Sequence, residues 1–423
     1  MIADDGQRIA DAQRIAVVGA GIVGICCALW LRRGGHRVVL VDGNAPGAGA
    51  SSGSACTIAV HGCIPVNHPR LIARLPQRLL DRRGGPLTLD PLYVARHLPW
   101  CWRFLKHCRA GAVADTTAAL ASLLAHARAG LTPLIEMAAA ADLLDHRGCL
   151  YAYRTERDFR AERESLRIRR AHGVRCTVLN AGELRELEPH LKIDFARGVL
   201  FDDAQRVVDP QALATRLFEC FRRGGGEWSR HHVIEMRARD HGVEMRLANG
   251  ESLRAGRAVL AAGAFSKQVA GAGVARLPLD AERGHHVQFN GRQQLARRPL
   301  HWVGSGFYAT PTADALRFAG TVEIAGLSSR QNPRVLAYLT RMAKRMFDLD
   351  GAPTQTWLGH RPTFPDALPV IGPSAKSPRI LLAFGHQHLG LTLAGITGKL
   401  IAQLIDDAPP EIDLTAFSAR RFE

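Results

Sequence analysis

Arg14-Ile-Ala-Val-Val-Gly-Ala-Gly-Ile-Val-Gly24 is the stretch on which the fold turns. Its first five residues have the apolar character of a short buried strand, and Ile22 to Arg33 carries a helical pattern that stops at Gly34-Gly35. Arg37-Val-Val-Leu-Val41 reads as a second strand. Strand, glycine turn, helix and strand in that order predict a βαβ unit of a parallel sheet. Gly19-Ala-Gly21-Ile-Val-Gly24 is then G-x-G-x-x-G in its working place, with Asp42 closing the second strand. Gly19 permits the tight turn, Gly21 lets backbone approach a pyrophosphate, and Gly24 allows close helix–strand packing. The helix start at Ile22 and Val23 offers aligned N–H groups to phosphates, and Asp42 is placed to accept hydrogen bonds from a ribose. The pattern predicts a dinucleotide site without choosing between NAD and FAD.

A chain of 423 residues exceeds what one hydrophobic core usually serves, so two domains sharing a ligand are expected. With 47% hydrophobic and 22% charged residues the composition is that of a globular protein, not a disordered or membrane-spanning one. The net charge of +16 comes mostly from Arg scattered along the chain. It leaves nucleic acid, an anionic membrane surface and acidic small substrates open as partners, beside a simply solvated basic surface. Nine cysteines without a C-x-x-C pair argue against a zinc or thioredoxin-like site and for a reducing cytoplasm, with Cys26 and Cys27 as small core residues. No metal site is expected. Met1 to Arg14 has no signal-peptide pattern, and Ile15 to Leu31 is short for a membrane span and broken by glycines.

Further along, Asp42 to Pro69 is rich in Gly, Ala, Ser and Pro and reads as loops around a ligand, while Leu71 to Ala140 turns helical and is expected in a different layer. Within it, Pro99 to Arg109 is basic and rich in Trp; it is expected as a core helix, with contact to an anionic membrane as the competing reading. Arg154 to Arg170 is charge-dense and expected as a solvated helix. Asp209 caps a helix opening at Pro210. Short strands from Val233 to Arg254 read as a meander returning to the first sheet through Ala258 to Ala261. Strands at His285 to Phe289, Gly306 to Thr310 and Ala315 to Ala319 predict a second, antiparallel sheet, and Arg379 to Phe384 with Leu391 to Leu404 rejoins the first domain.

Several segments beyond the opening motif recur together in a known family: Val259-Leu-Ala-Ala-Gly263-Ala-Phe-Ser266, Gly359-His-Arg361-Pro362 with Pro365-Asp366 and Pro369-Val-Ile-Gly372, and Gly385-His386-Gln-His388-Leu-Gly390-Leu-Thr392. In this order they resemble the FAD-dependent D-amino-acid oxidase and dehydrogenase superfamily, over nearly the whole chain. The bacterial D-amino-acid dehydrogenase branch, with its D-proline and D-hydroxyproline forms, also has counterparts of Glu282-Arg-Gly284 and Gly320-Thr-Val-Glu323.

The resemblance implies an α/β fold: an FAD-binding Rossmann-like domain of the glutathione-reductase type (1–85, 201–272, 358–423) and a discontinuous antiparallel-sheet substrate domain (86–200, 273–357). It extends the cofactor contacts from Gly19, Gly21, Ile22, Val23, Gly24 and Asp42 to Ser51, Ser52, Val233, Ala262, Gly263, Gly385, His386, Gly390, Leu391 and Thr392. Arg361 matches the family's carboxylate-binding arginine, whose planar fork suits both carboxylate oxygens. Tyr308 would add a hydrogen bond to that carboxylate, and His61, Glu323 and His386 are further candidates to face flavin or the substrate amine. Two departures stand out. Gly359 to Gly390 contains no Cys, so the FAD is expected to be non-covalent, and Ser51-Ser-Gly-Ser-Ala-Cys56-Thr replaces the more usual Asn-Ala-Gly loop.

The activity so implied is hydride transfer from a small D-amino or cyclic imino acid to flavin, with electrons passed to a quinone or carrier. Direct use of O2, a flavoprotein module of nucleic-acid modification and an NAD-dependent dehydrogenase are the rivals; no RNA-binding motif favours the second. A cytoplasmic location, with a peripheral contact to the inner membrane as its variant, completes the expectation.

Overall fold

The computed structural model describes residues 14–69 and 85–423; the readings of Met1 to Gln13 and of the helical pattern from Leu71 to Gly84 lie outside the described residues. The opening βαβ unit forms as its pattern predicts. Strand Arg14–Val18, helix Ile22–Arg33 and strand Arg37–Val41 follow one another, and the two strands pair in parallel from Arg14 with Arg37 to Val18 with Val41. Both lie in a six-stranded sheet, in the order Glu227–Ser229, Arg37–Val41, Arg14–Val18, Arg257–Leu260, Ser377–Phe384 and Val370–Ser374. Only the last pairing is antiparallel. Layers cover both faces of this sheet, which is why its inner strands read as unbroken apolar runs rather than alternating ones.

One covering layer departs from the expected division. Helices Ala110–Ala125 and Ala127–Met137, expected in a different layer, bury Leu120, Leu124, Leu131 and Leu134 in the core that holds Ile25, Leu29, Ile396 and Leu400. Glycines decide this. Built on Gly395, a Cβ would lie 2.5 Å from the backbone of Gly130, and on Gly398 it would lie 2.6 Å from the Cys26 carbonyl oxygen. Helix Gly390–Ile405 is thus clamped between Ile22–Arg33 and Ala127–Met137, and Trp30 Nε1 ties the outer two by donating to the Gly130 carbonyl at 3.0 Å. The run Ala110–Met137 is long and apolar enough to cross a membrane by length and composition, but 44% of its most apolar window is buried here.

The second large sheet has nine strands and is mixed, mainly antiparallel. Its centre is Asp280–Asn290, Ala315–Ile324 and Phe307–Pro311, the first two longer than the sequence pattern showed and the third of the expected length, shifted by one residue. Strand Gln355–Thr363 joins its edge, pairing Arg361 with Glu282, so Leu358 to Thr363 belongs to this sheet and not to the cofactor domain. The strands Val233–Arg239, Gly242–Leu247 and Ser252–Ala255 form a separate three-stranded antiparallel sheet. Asp209 caps helix Pro210–Arg223 by accepting from the N–H groups of Gln211 and Ala212.

Two surface expectations change. The charge-dense stretch forms two helices, Glu156–Ala161 and Arg163–Ala171, and the second buries Leu166 and Arg169. Helix Leu98–Lys106 buries no residue, with Leu98 and Trp102 each 60% exposed, so it is no core helix.

Candidate active site

Between the two large sheets lies a cavity of about 1730 Å3, lined from both sides. That exceeds an ordinary small-ligand pocket and leaves room for a dinucleotide and a second small molecule. One end is built by the C-terminal ends of the parallel strands. Gly19 takes φ +107°, and a Cβ there would lie 2.5 Å from the Ala261 carbonyl oxygen; a Cβ on Gly24 would run into the carbonyl oxygen of Gly19. The N-cap residue of helix Ile22–Arg33 is Gly21, which has no side chain to cap it, and no acid sits in its first turn. Apart from Ile22 N, the first-turn N–H groups have no side-chain partner among the described residues, and such an N-terminus beside backbone that excludes a Cβ is the cradle a pyrophosphate requires. Asp42 accepts from Ala20 N at 2.8 Å and from Asn44 N at 2.9 Å, and Ser51 Oγ accepts from Ile22 N at 3.0 Å.

Gly19, Gly21, Ile22, Val23, Asp42, Ser51, Val233, Ala262, Gly263, His386, Gly390 and Leu391 all line the cavity. Four expected cofactor positions stand behind its wall. Gly24 serves helix packing, and Ser52 turns its hydroxyl to the Gly49 carbonyl. Thr392 Oγ1 is buried and accepts from Ala59 N at 2.9 Å, and Gly385 packs against the Phe364 ring. The unusual loop at Ser51 is held by a residue the sequence did not single out. Arg317 Nη1 donates to the carbonyls of Ser52 and Ser54 at 3.0 and 3.2 Å and reaches Cys56 Sγ at 3.4 Å.

At the other end lies Arg361. Its Nη1 donates to the Thr321 carbonyl at 2.7 Å and its Nη2 to the Gly320 carbonyl at 3.3 Å. The register of Asp280–Asn290 against Ala315–Ile324 slips between Arg283 and His285, and Thr321 sits in that bulge with φ +59°. A β-branched residue with positive φ is a strained one, and here the strain turns a carbonyl toward the guanidinium. The guanidinium also lies over Gly284, where a side chain would collide with it. Two of its five donors are so occupied, and the rest remain for a ligand. Glu282, its strand neighbour, is buried with Gln387 Nε2 donating to it at 3.3 Å, and burial pushes its carboxyl up to about 7 against the opposing pull of Arg361.

Tyr308 lines the cavity, but its hydroxyl shares a 2.7 Å hydrogen bond with that of Tyr151, and its ring stacks on His301 at 4.6 Å. Burial raises both phenols, Tyr151 to about 12, so both stay protonated. His386 hydrogen-bonds Thr397 Oγ1 at 2.9 Å, and burial lowers it to about 3. His388 faces the cavity and is lowered to about 4 by burial and by Arg361.

The other two candidates are elsewhere. His61 is buried behind the wall, stacked on Phe201 at 4.2 Å, and burial keeps it neutral. Glu323 lies in a buried cluster with Arg283 at 3.4 Å, His285 at 3.6 Å and Asn332 Nδ2 at 2.6 Å, because its strand position turns it away from the cavity. Glu282, Gln387, His388, Tyr151 and Arg169 line the cavity instead. Glu282 and His388 stood inside recurring segments, but nothing in the sequence gave them a role.

A protein-family model described as FAD dependent oxidoreductase matches residues 14–404. The chain belongs to that family. This oxidoreductase is 34% identical to the D-amino-acid oxidase of Bradyrhizobium diazoefficiens, over 97% of this chain and 99% of that one. It is 30% identical to D-amino acid dehydrogenase 2 of Ralstonia nicotianae, over 96% and 100%. Among solved structures, glycine oxidase from Geobacillus kaustophilus superimposes with a TM-score of 0.73 at 20% identity, covering 96% of this chain and 98% of that one. Iminodiacetate oxidase from Chelativorans sp. BNC1 gives 0.71 at 20%, likewise over 96% of this chain and 98% of that one. The cofactor of this family is FAD, and the glycine-built helix N-terminus, Asp42 and the volume of the cavity fit it.

Proposed function

We propose that this oxidoreductase oxidises the C–N bond of a small D-amino or cyclic imino acid, D-proline and D-hydroxyproline being examples, with FAD bound non-covalently. The observation that carries this is Arg361: a guanidinium in the cavity wall, oriented by two carbonyls, with donors left over for a carboxylate. The names of the relatives support an amine as the group oxidised. FAD, when bound, supplies the two-electron acceptor. Arg361 fixes the carboxylate and with it the direction of the α-hydrogen, and Tyr308, Tyr151 and the neutral His388 close the pocket around the amine. The positive field of Arg361 favours the neutral amine, whose lone pair assists as the α-hydrogen leaves with two electrons and a proton is released from nitrogen. The imine then hydrolyses to a 2-oxo acid and ammonia, or persists as a pyrroline when cyclic.

Anaerobic bleaching of the yellow holoenzyme against D- and L-amino acids, glycine, sarcosine and D-hydroxyproline tests this. Bleaching by amino acids is expected, with Arg361→Ala lowering kcat/KM by about a hundredfold, the scale for stripping a partner from an enclosed ionic contact. Bleaching by none of them, or bleaching indifferent to the substitution, overturns it.

For the electrons we favour a quinone or carrier at the inner membrane, with the protein on its cytoplasmic side. The exposed helix Leu98–Lys106 supports this: Leu98 and Trp102 stand beside Arg103 and Lys106, the mixture that suits an anionic interface. Sedimentation with anionic liposomes at low salt is expected to pull the protein down. Stoichiometric peroxide from O2, with no liposome binding, would establish an oxidase instead.

A further inference from the structure

Arg169 has no part in the reading above. It lies on helix Arg163–Ala171, is only 8% exposed, and lines the same cavity as Arg361. Its Nε donates to the His61 carbonyl at 3.1 Å, and its guanidinium stands over the rings of Tyr151 and Phe201 at 5.9 and 5.6 Å. Its Nη1 is enclosed without a hydrogen-bond partner, and no carboxylate of the described residues forms an ion pair with it. Four other enclosed arginines are each paired with a carboxylate. Arg206 meets Asp145 at 2.6 Å, Arg283 meets Glu323 at 3.4 Å, Arg298 meets Glu188 at 3.1 Å and Arg421 meets Asp366 at 2.7 Å. Removing a charge from water is expensive unless a counter-charge awaits it. The aromatic wall beside Arg169 supplies none, since burial keeps His61 and His301 neutral and the two tyrosines protonated.

We infer that Arg169 receives a second anionic group of the substrate, which makes this a site for acidic amino acids: the α-carboxylate on Arg361 and a distal carboxylate on Arg169. The inference rests on the amino-acid reading and narrows its substrate class. It also gives the net charge of +16 a use, because a basic protein draws dianionic substrates faster than neutral ones.

The test compares isosteres. D-Glutamate and D-glutamine differ in the distal charge, and the holoenzyme is expected to prefer D-glutamate in kcat/KM by about thirtyfold, in keeping with a charge-assisted contact. Arg169→Met should collapse that ratio toward one, and Arg169→Lys should restore part of it. An unchanged ratio in Arg169→Met, equal losses on both substrates, or release of flavin as the only effect would assign Arg169 a structural role and overturn the inference. Should the variants fail to fold, the unaltered holoenzyme decides: glutarate is expected to perturb the flavin absorbance at concentrations about tenfold lower than butyrate does, and equal potency overturns the inference. The two readings fail separately. If no amino acid bleaches the flavin, amino-acid oxidation itself is wrong; if D-glutamine or D-alanine bleaches it as readily as D-glutamate, only the distal site is.

Discussion

Glu282 and Arg361 are paired in register on adjacent strands, and their charges are linked. Burial holds the Glu282 carboxyl up to about 7, so it is neutral below that pH and leaves the full charge of Arg361 to a ligand. Above it, Glu282 ionises and competes for the guanidinium. A carboxylate without an amine, such as benzoate, should therefore bind more weakly as pH rises through about 7, and Glu282→Gln should flatten that profile; titrating the flavin absorbance with benzoate across pH reads both. A break near 7 that survives the substitution would belong to another group. Arg361 was legible at this scale because it stands in a recurring Arg-Pro segment. Arg169 was not: in a chain so rich in Arg, a helix surface and a cavity wall look alike until the fold sets the helix down.

Among the elements, helix Gly390–Ile405 does the most to join the layers, touching Ile22–Arg33 through Gly398 and Ala127–Met137 through Gly395. Gly398→Ala would press a methyl group into the Cys26 carbonyl, which cannot move without displacing the cofactor helix. Overpacking of that kind costs about 1–3 kcal/mol. A lower Tm together with easier loss of FAD on dialysis is expected. Gly111→Ala is the control: a Cβ there meets nothing within 4 Å, and replacing a glycine in the first helical turn should leave Tm unchanged or raise it. The βαβ unit was readable to the residue because local pattern and turn chemistry agree over it. The placement of Ala110–Met137 was not, since an apolar helix face does not say which partner buries it.

At the scale of the whole molecule, buried titratable groups set the response to pH. His285, His286 and His386 are buried and lowered to about 4, 3 and 3, and His61 is lowered too, in each case mainly by burial. Groups with depressed pKa contribute stability that is present above the ordinary histidine value and lost as pH falls below it. Glu188 and Glu282, both raised to about 7 by burial, act in the opposite sense: what they contribute is complete below the ordinary carboxylate range and lost as pH rises through about 7. Between pH 4.5 and 6.5 the histidines outnumber the glutamates, and each unbalanced proton is worth about 1.4 kcal/mol per pH unit. Thermal melts of the holoenzyme should show Tm rising from pH 5 to 6.5 and levelling near neutrality; a flat or falling Tm over that interval would contradict this assignment of charge states. What the sequence determined by itself was the parallel dinucleotide unit, and, through the resemblance of distant segments to a known family, FAD as the cofactor and Arg361 as the candidate anchor. The first rests on contiguous residues whose spacing is itself the mechanism; the other two rest on what that resemblance implies. Only the tertiary structure decided that His61 and Glu323 stand outside the cavity, that Thr321 is strained to orient Arg361, and that Arg169 enters the cavity with no carboxylate of the described residues ion-paired to it. Those facts depend on strand register and helix placement, and a shift of one residue along a strand turns a side chain to the opposite face.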